Sequence, residues 1–104
     1  MSSRPPASRL LNAPNDAIQA STNLLKAVAN ENRLRILCLL DSGELSVSEL
    51  NARLSLSQSA LSQHLAILRR VGLVTTRRAS QTIYYSLQGP NATGIIRALQ
   101  ELYN

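Results

Sequence analysis

Four polar residues repeat at a spacing that could read a nucleic acid. Gln58 and Ser59 are followed four positions later by Ser62 and Gln63, so all four project from one side of a helix. Gln can form two hydrogen bonds with adenine, and Ser can bond several base edges in the major groove. The pattern predicts that Gln58, Ser59, Ser62 and Gln63 contact DNA bases.

Positive charge is concentrated in the same half of the chain. Residues 1–49 carry five basic and five acidic groups, whereas residues 50–104 carry six arginines and one acid, Glu101. Arginine suits phosphate recognition because its planar guanidinium forms paired hydrogen bonds. We therefore expect double-stranded DNA as the partner, with its backbone contacted by Ser57, Arg69, Arg70, Arg77, Arg78, Gln81 and Tyr84.

The residue types do not indicate a catalytic site or a metal site. His64 is the only histidine and lies on the apolar side of its predicted helix, which is typical of a hydrogen-bonded structural histidine. The serines lack a His and acid arrangement, and there is no Gly-rich phosphate loop. A zinc-like site needs three or four Cys, His or carboxylate ligands. We predict that the protein is not an enzyme and has no metal and no cofactor.

The single cysteine, Cys38, excludes an internal disulfide framework and fits a reducing cytosol. Its neighbours Leu34, Leu37 and Leu40 predict a buried core thiol with a raised pKa. A redox role for Cys38 is the alternative. The sequence has neither a signal-peptide pattern nor a membrane-length apolar run, so we expect a cytoplasmic, nucleoid-associated protein.

Hydrophobic periodicity predicts a tail and one domain. Residues 1–14 read as a flexible basic tail, and residues 15–104 as a DNA-binding and dimerisation domain. Five helices are predicted: one after a cap at Asn15, a buried one from Glu31 to about Asp41 capped by Asn30, a short one behind the capping box Ser46–Glu49 that ends near Leu54, one from Gln58 to Val71 capped by Ser57, and a last one after Gly89-Pro90.

Between the last two helices, Leu73–Arg78 and Thr82–Leu87 are rich in β-branched and aromatic residues and predict a β-hairpin. The order of elements is that of a winged helix-turn-helix, mainly α with a β-hairpin wing. Because the chain is short and its first and last helices carry apolar stripes, we expect a homodimer. The predicted interface residues are Ile18, Leu24, Leu25, Ile95, Ile96, Leu99, Leu102 and Tyr103.

Three segments resemble the ArsR/SmtB family of bacterial winged-helix repressors over about residues 16–103. The run 26–37, KAVANENRLRIL, is similar to the family's A-[NDH]-x-x-R-L-x-I-L segment, and 57–65, SQSALSQHL, to its recognition helix. Leu73-Val74, Arg77-Arg78 and QTIYY at 81–85 resemble its wing. The nearest likeness is to the HlyU-, BigR- and NolR-like branch. The resemblance implies a homodimeric regulator that binds a palindromic operator, usually as a repressor.

Departures from the family pattern bear on which signal, a metal ion or a sulfur species, could regulate the protein. Metal sensors carry E-L-C-V-C-[DE]-L where this chain has ELSVSEL at 44–50, with serine in place of both thiols. The resemblance also implies a second thiol after the last helix in sulfur-sensing members, where this chain has Asn104. Two alternatives to a specific repressor stay open: a non-specific architectural DNA-binding protein, and a thiol- or sulfur-responsive repressor using Cys38.

Overall fold

The chain forms a winged helix-turn-helix in a computed structural model that describes residue 6 and residues 8–103. Helices dominate, and the hairpin is part of a small antiparallel sheet. The elements in this part of the chain are α1 (Ser8–Leu11), α2 (Asn15–Val28), α3 (Glu31–Leu40), β1 (Leu45–Ser46), α4 (Val47–Arg53), α5 (Gln58–Arg70), β2 (Val74–Ala79), β3 (Thr82–Leu87) and α6 (Asn91–Glu101). None of the described helices is long and apolar enough to span a membrane.

The N-terminal segment differs from the prediction in two ways. Five helices were expected, but the structure adds α1, a single turn inside the predicted tail, where the Arg9 N–H donates to the Pro6 carbonyl at 3.0 Å. Asn15 was expected to cap the next helix, yet it is the first residue of α2, and Pro14 holds the cap position. The helix starts one residue early because Ala17 N–H already donates to the Pro14 carbonyl.

The other helix starts follow the predicted caps. The Asn30 side chain accepts a hydrogen bond from Arg33 N–H at 3.0 Å. Ser46 and Glu49 form both bonds of a capping box, and the Ser57 hydroxyl accepts from Ala60 N–H at 3.1 Å. Since each cap satisfies N–H groups that have no partner within their helix, these short polar signals fix where α3, α4 and α5 begin.

The sheet has the strand order β1-β3-β2. The hairpin is closed by two residues, Ser80 and Gln81, and Ser80 adopts a left-handed conformation with φ 57°, which suits the tight turn. The two-residue strand β1 was not predicted, because it is too short to show an alternating pattern. It pairs Leu45 with Tyr85 and Ser46 with Tyr84. The sheet therefore ties the wing to the start of α4.

One apolar core holds these elements together, and α3 contributes its buried residues Ile36, Leu37 and Leu40. The prediction that α3 is buried on all sides is wrong: Cys38 is exposed, because it projects from the side of the helix opposite the core, and Leu34 and Leu39 are only half-buried. The largest fully buried side chains are Ile36, Leu37, Leu50, Leu61, Leu65, Leu68, Leu73 and Val74.

Candidate nucleic-acid interface

The polar side of α5 is open to solvent along its length. Leu61, Leu65 and Leu68 are buried beneath the helix, so the helix has a fixed roll on the core. All four residues predicted to contact bases are exposed: Gln58, Ser59, Ser62 and Gln63. Their amides and hydroxyls are held on a rigid element that can enter a major groove.

The two ends of α5 also suit DNA. Its first turn carries no acid, and its last turn carries Arg69 and Arg70, both exposed. Ser57 is exposed at the cap, with its oxygen 3.4 Å from the Ser59 hydroxyl. Unpaired N–H groups and the helix dipole make this end attractive to phosphate. A strand of DNA can therefore be bound at both ends of the helix.

A groove of about 350 Å³ separates α5 from the wing. Tyr85 of β3 faces it from the sheet side. Tyr85 was not among the predicted site residues, although the alternation of side chains along β3 places it on the opposite face from Tyr84. The groove is lined by Val47, Ser62, Leu65, Ala66, Arg69, Arg70 and Tyr85. The wing thus forms a second wall beside the polar side of the helix.

The two wing arginines are on opposite faces of the hairpin. Arg77 pairs across the strands with Tyr84, whereas Arg78 pairs with Ile83, and side chains of paired residues share a face. Arg78 is therefore on the same face as Tyr85, which lines the groove. Arg78 and Gln81 are both exposed. Arg77 and Arg78, which were both predicted to contact the DNA backbone, therefore lie on opposite faces of the wing.

Arg77 is bound within the protein. Its Nε donates to Glu44 Oε2 at 3.2 Å, and Nη2 donates to the other oxygen of the same carboxylate. Its guanidinium also lies over the Tyr84 ring, 4.7 Å from the centroid. The hydrogen bond from Arg77 holds the pKa of the Glu44 carboxyl below its usual value. The pairing of Glu44 with Arg77 has no local signal in the sequence, because the two residues lie 33 positions apart.

Arg33 connects the recognition helix to the rest of the fold. Its Nε donates to the Ala27 carbonyl at 2.6 Å, and Nη2 to the Lys26 carbonyl at 3.4 Å, at the end of α2. Its Nη1 lies 3.2 Å from Nδ1 of His64, on α5. A guanidinium can only donate, so Nδ1 accepts and His64 is neutral. His64 is the structural histidine that the sequence predicted, and it links α5 through Arg33 to α2.

The position of His64 predicts a pH effect on stability. Burial, and then the charge of Arg33, lower the pKa of His64, so the unfolded chain binds a proton more readily than the folded one. The stability from the neutral ring is complete above the ordinary histidine pKa of about 6.5, and it is lost as the pH falls below that value towards the lowered pKa of the folded state. His64→Asn keeps an acceptor but does not titrate. Urea unfolding at several pH values should show the wild type losing more stability than His64→Asn on acidification; parallel curves would contradict this explanation.

The predicted dimer residues are not equally available. Ile18, Leu25, Leu102 and Tyr103 are exposed. Leu24 and Ile95 are half-buried against the protomer's own core, and Leu99 is half-buried. Ile96 was predicted at the interface, but it is only 4% exposed and belongs to that core. The reason is geometric: the inner side of α6 is already used to cover the domain, together with Ala92.

Among the described residues, no group of three His, Cys, Asp or Glu side chains could hold a metal ion. Cys38 lies at the edge of a cavity of about 520 Å³ between α3 and α6, together with Asp41, Leu99 and Tyr103. Although its side chain is exposed, partial burial and the nearby charge of Asp41 raise the pKa of the Cys38 thiol. The thiol is therefore mostly protonated at neutral pH.

Known proteins are similar to this chain in sequence and in fold. Residues 30–76 match the family described as bacterial regulatory protein, arsR family. The chain is 60% identical over 80 residues to the transcriptional activator HlyU of Vibrio cholerae, covering 77% of this chain and 74% of that protein. It is 44% identical over 80 residues to a biofilm growth-associated repressor of Agrobacterium fabrum, covering 77% and 68%.

The fold comparison agrees with the sequence comparison. A solved structure of HlyU from Vibrio cholerae N16961 superposes with a TM-score of 0.81 at 53% identity, covering 86% of this chain and 98% of that one. NolR from Sinorhizobium fredii superposes with a TM-score of 0.80 at 41% identity, covering 99% and 97%. The predictions of a winged helix-turn-helix and of a regulator rather than an enzyme are confirmed. This chain belongs to the ArsR family of bacterial regulatory proteins and is a DNA-binding transcriptional regulator.

Proposed function

We propose that the protein binds a palindromic operator as a homodimer and acts as a repressor, in the cytoplasm and in association with the nucleoid. The observation that carries this proposal is the exposed, acid-free polar side of α5, which presents Gln58, Ser59, Ser62 and Gln63 from a fixed helix. The name of the Agrobacterium fabrum relative supports repression, while the name of the Vibrio cholerae relative describes an activator.

In this proposal, base contacts and backbone contacts come from different elements. The first half of α5 reads base edges in the major groove, where Gln63 and Gln58 can pair with adenine. Ser57, Arg69 and Arg70 bind phosphates at the two ends of that helix, and the wing residues Arg77, Arg78, Gln81 and Tyr84 bind the backbone beside it. Phosphate contacts set position and affinity, and base contacts set sequence preference.

The apolar groups left on the surface support the symmetric dimer in this proposal. Leu25 of α2 is 60% exposed, and Leu102 and Tyr103 beyond α6 are 73% and 87% exposed. Large exposed apolar side chains on a small domain are well suited to burial against a second copy. A two-fold dimer presents two α5 helices to successive major-groove turns, about 10 base pairs apart.

The proposal is tested by selecting bound duplexes from a random-sequence library with the whole protein. We expect enrichment of an inverted repeat with half-sites centred about 10 base pairs apart, shifted somewhat if the DNA bends. Enrichment of no motif, with binding of all duplexes alike, would contradict it. That second result would instead support the non-specific architectural protein that the basic half of the chain also allows.

A thiol-responsive repressor is a second candidate, because Cys38 is exposed at a cavity edge. Its raised pKa disfavours the reactive thiolate. We therefore expect Cys38→Ser to leave affinity for the selected duplex within about threefold, and dilute hydrogen peroxide to leave the complex intact. Anisotropy with a labelled duplex measures both. Release by peroxide that disappears in Cys38→Ser would make Cys38 the switch.

A further inference from the structure

Glu44 is hydrogen-bonded to Arg77, one of the side chains that the proposed interface uses to contact the DNA backbone. It lies just before β1, in the part of the chain where acids balance bases, and β1 brings it to the wing by pairing with β3. There it accepts both hydrogen bonds from Arg77. The pair is solvent-exposed, with 55% of the Arg77 side chain and 36% of the Glu44 side chain accessible. DNA could therefore approach it directly.

The two hydrogen bonds between Arg77 and Glu44 have the arrangement with which arginine also binds a phosphate. A carboxylate and a phosphate both present two oxygens to the same fork of guanidinium N–H groups. Arg77 cannot give both bonds to Glu44 and the same two bonds to a phosphate. The guanidinium lies over the Tyr84 ring on the exposed surface of the wing, so a phosphate can replace the carboxylate by an exchange of hydrogen-bond partners.

The lowered pKa of Glu44 keeps the carboxylate charged at neutral pH, so the competitor is always present. Arg78 provides the internal comparison. It is the neighbouring arginine, it is exposed, and it lies on the opposite face of the hairpin from the Glu44 pair. The two arginines should therefore respond differently to loss of the Glu44 charge.

We propose that Glu44 is an affinity-determining residue of the nucleic-acid interface, which competes with DNA phosphate for Arg77. The inference rests on the proposed use of the wing to bind the DNA backbone. Each time the protein binds DNA, Arg77 exchanges the Glu44 carboxylate for a phosphate, and this exchange lowers the affinity for all duplexes, whatever their sequence. The fold thus limits the grip of the protein on non-specific DNA.

The test uses the whole protein and a labelled duplex of arbitrary sequence, since phosphate contacts do not depend on sequence. Glu44→Gln keeps the size of the side chain and removes its charge. Affinity is measured for Glu44→Gln in three backgrounds: wild type, Arg77→Ala and Arg78→Ala. Thermal unfolding of each variant, and the affinity for the selected duplex, are measured beside it.

We expect Glu44→Gln to raise affinity about 3- to 10-fold, summed over two wings, in the wild type and in Arg78→Ala. In Arg77→Ala the gain should be smaller by at least about threefold, because no pair remains to be broken. An equal gain in affinity in all three backgrounds would mean that Glu44 acts only through the net charge of the protein. A loss of affinity would mean that Glu44 stabilises the wing in its binding conformation. Either result overturns the inference. Failure of the wild type to bind duplex DNA would instead refute the proposed function.

Discussion

Leu102→Glu is expected to convert the protein from a dimer into a folded monomer and to weaken operator binding by at least about 100-fold. Leu102 is 73% exposed in the protomer, so the substitution has little to disturb within one chain. In a dimer it would remove about 1.5–3 kcal/mol of apolar burial from each protomer and introduce two charges into the interface. Sedimentation at micromolar concentration measures the assembly, and circular dichroism measures the fold.

Leu11→Glu provides a matched control. Leu11 is also 73% exposed, and it lies in α1, outside the set of residues predicted at the interface. We expect this variant to sediment as the wild type does. A wild type that is monomeric at micromolar concentration, or a Leu102→Glu variant that stays dimeric, would refute the proposed interface.

Gln63→Ala should reduce affinity for the operator while leaving affinity for random duplex unchanged. An amide that pairs with a base contributes about 1–3 kcal/mol of discrimination, and a dimer makes the contact twice. The expected loss at the selected duplex is therefore about 30-fold or more. The Gln63 side chain is exposed, so the unfolding transitions of the variant and the wild type should match. Anisotropy titrations with both duplexes measure the two affinities.

Arg78→Ala is the companion variant, because it removes a proposed backbone contact and no base contact. It should weaken binding to the selected and the random duplex by the same factor, and it should make the dependence of affinity on salt shallower by about two for the dimer. If Gln63→Ala and Arg78→Ala both weakened the two duplexes equally, the division between base-reading helix and phosphate-binding wing would be wrong.

Local signals in the sequence predicted most of the elements that form the interface. The capping box Ser46–Glu49 and the cap Ser57 act over three residues, so the pattern and its structural effect lie in the same short segment. The polar and apolar sides of α5 are likewise a property of one helix. The start of the recognition helix, its orientation on the core and its exposed side could therefore be predicted from the sequence.

Features that depend on contacts between distant segments were missed or misjudged. Glu44 and Arg77 are brought together only by the pairing of β1 with β3. Ile96 fits an interface stripe and a core stripe equally well, and the packing of α6 decides for the core. Cys38 has leucines on both sides in sequence, yet it projects away from the core. Hydrophobic periodicity predicts which face of a helix is apolar, but it does not predict which element or protomer packs against that face.

In the proposed function, this domain distinguishes its operator from other DNA through α5. Competition titration tests it most directly: a labelled duplex carrying the selected inverted repeat is displaced by unlabelled copies of itself or by a scrambled duplex of the same length and composition, at physiological salt. We predict that the scrambled duplex competes at least about 10³-fold less well. Competition by the scrambled duplex within about threefold of the operator would contradict sequence-specific recognition.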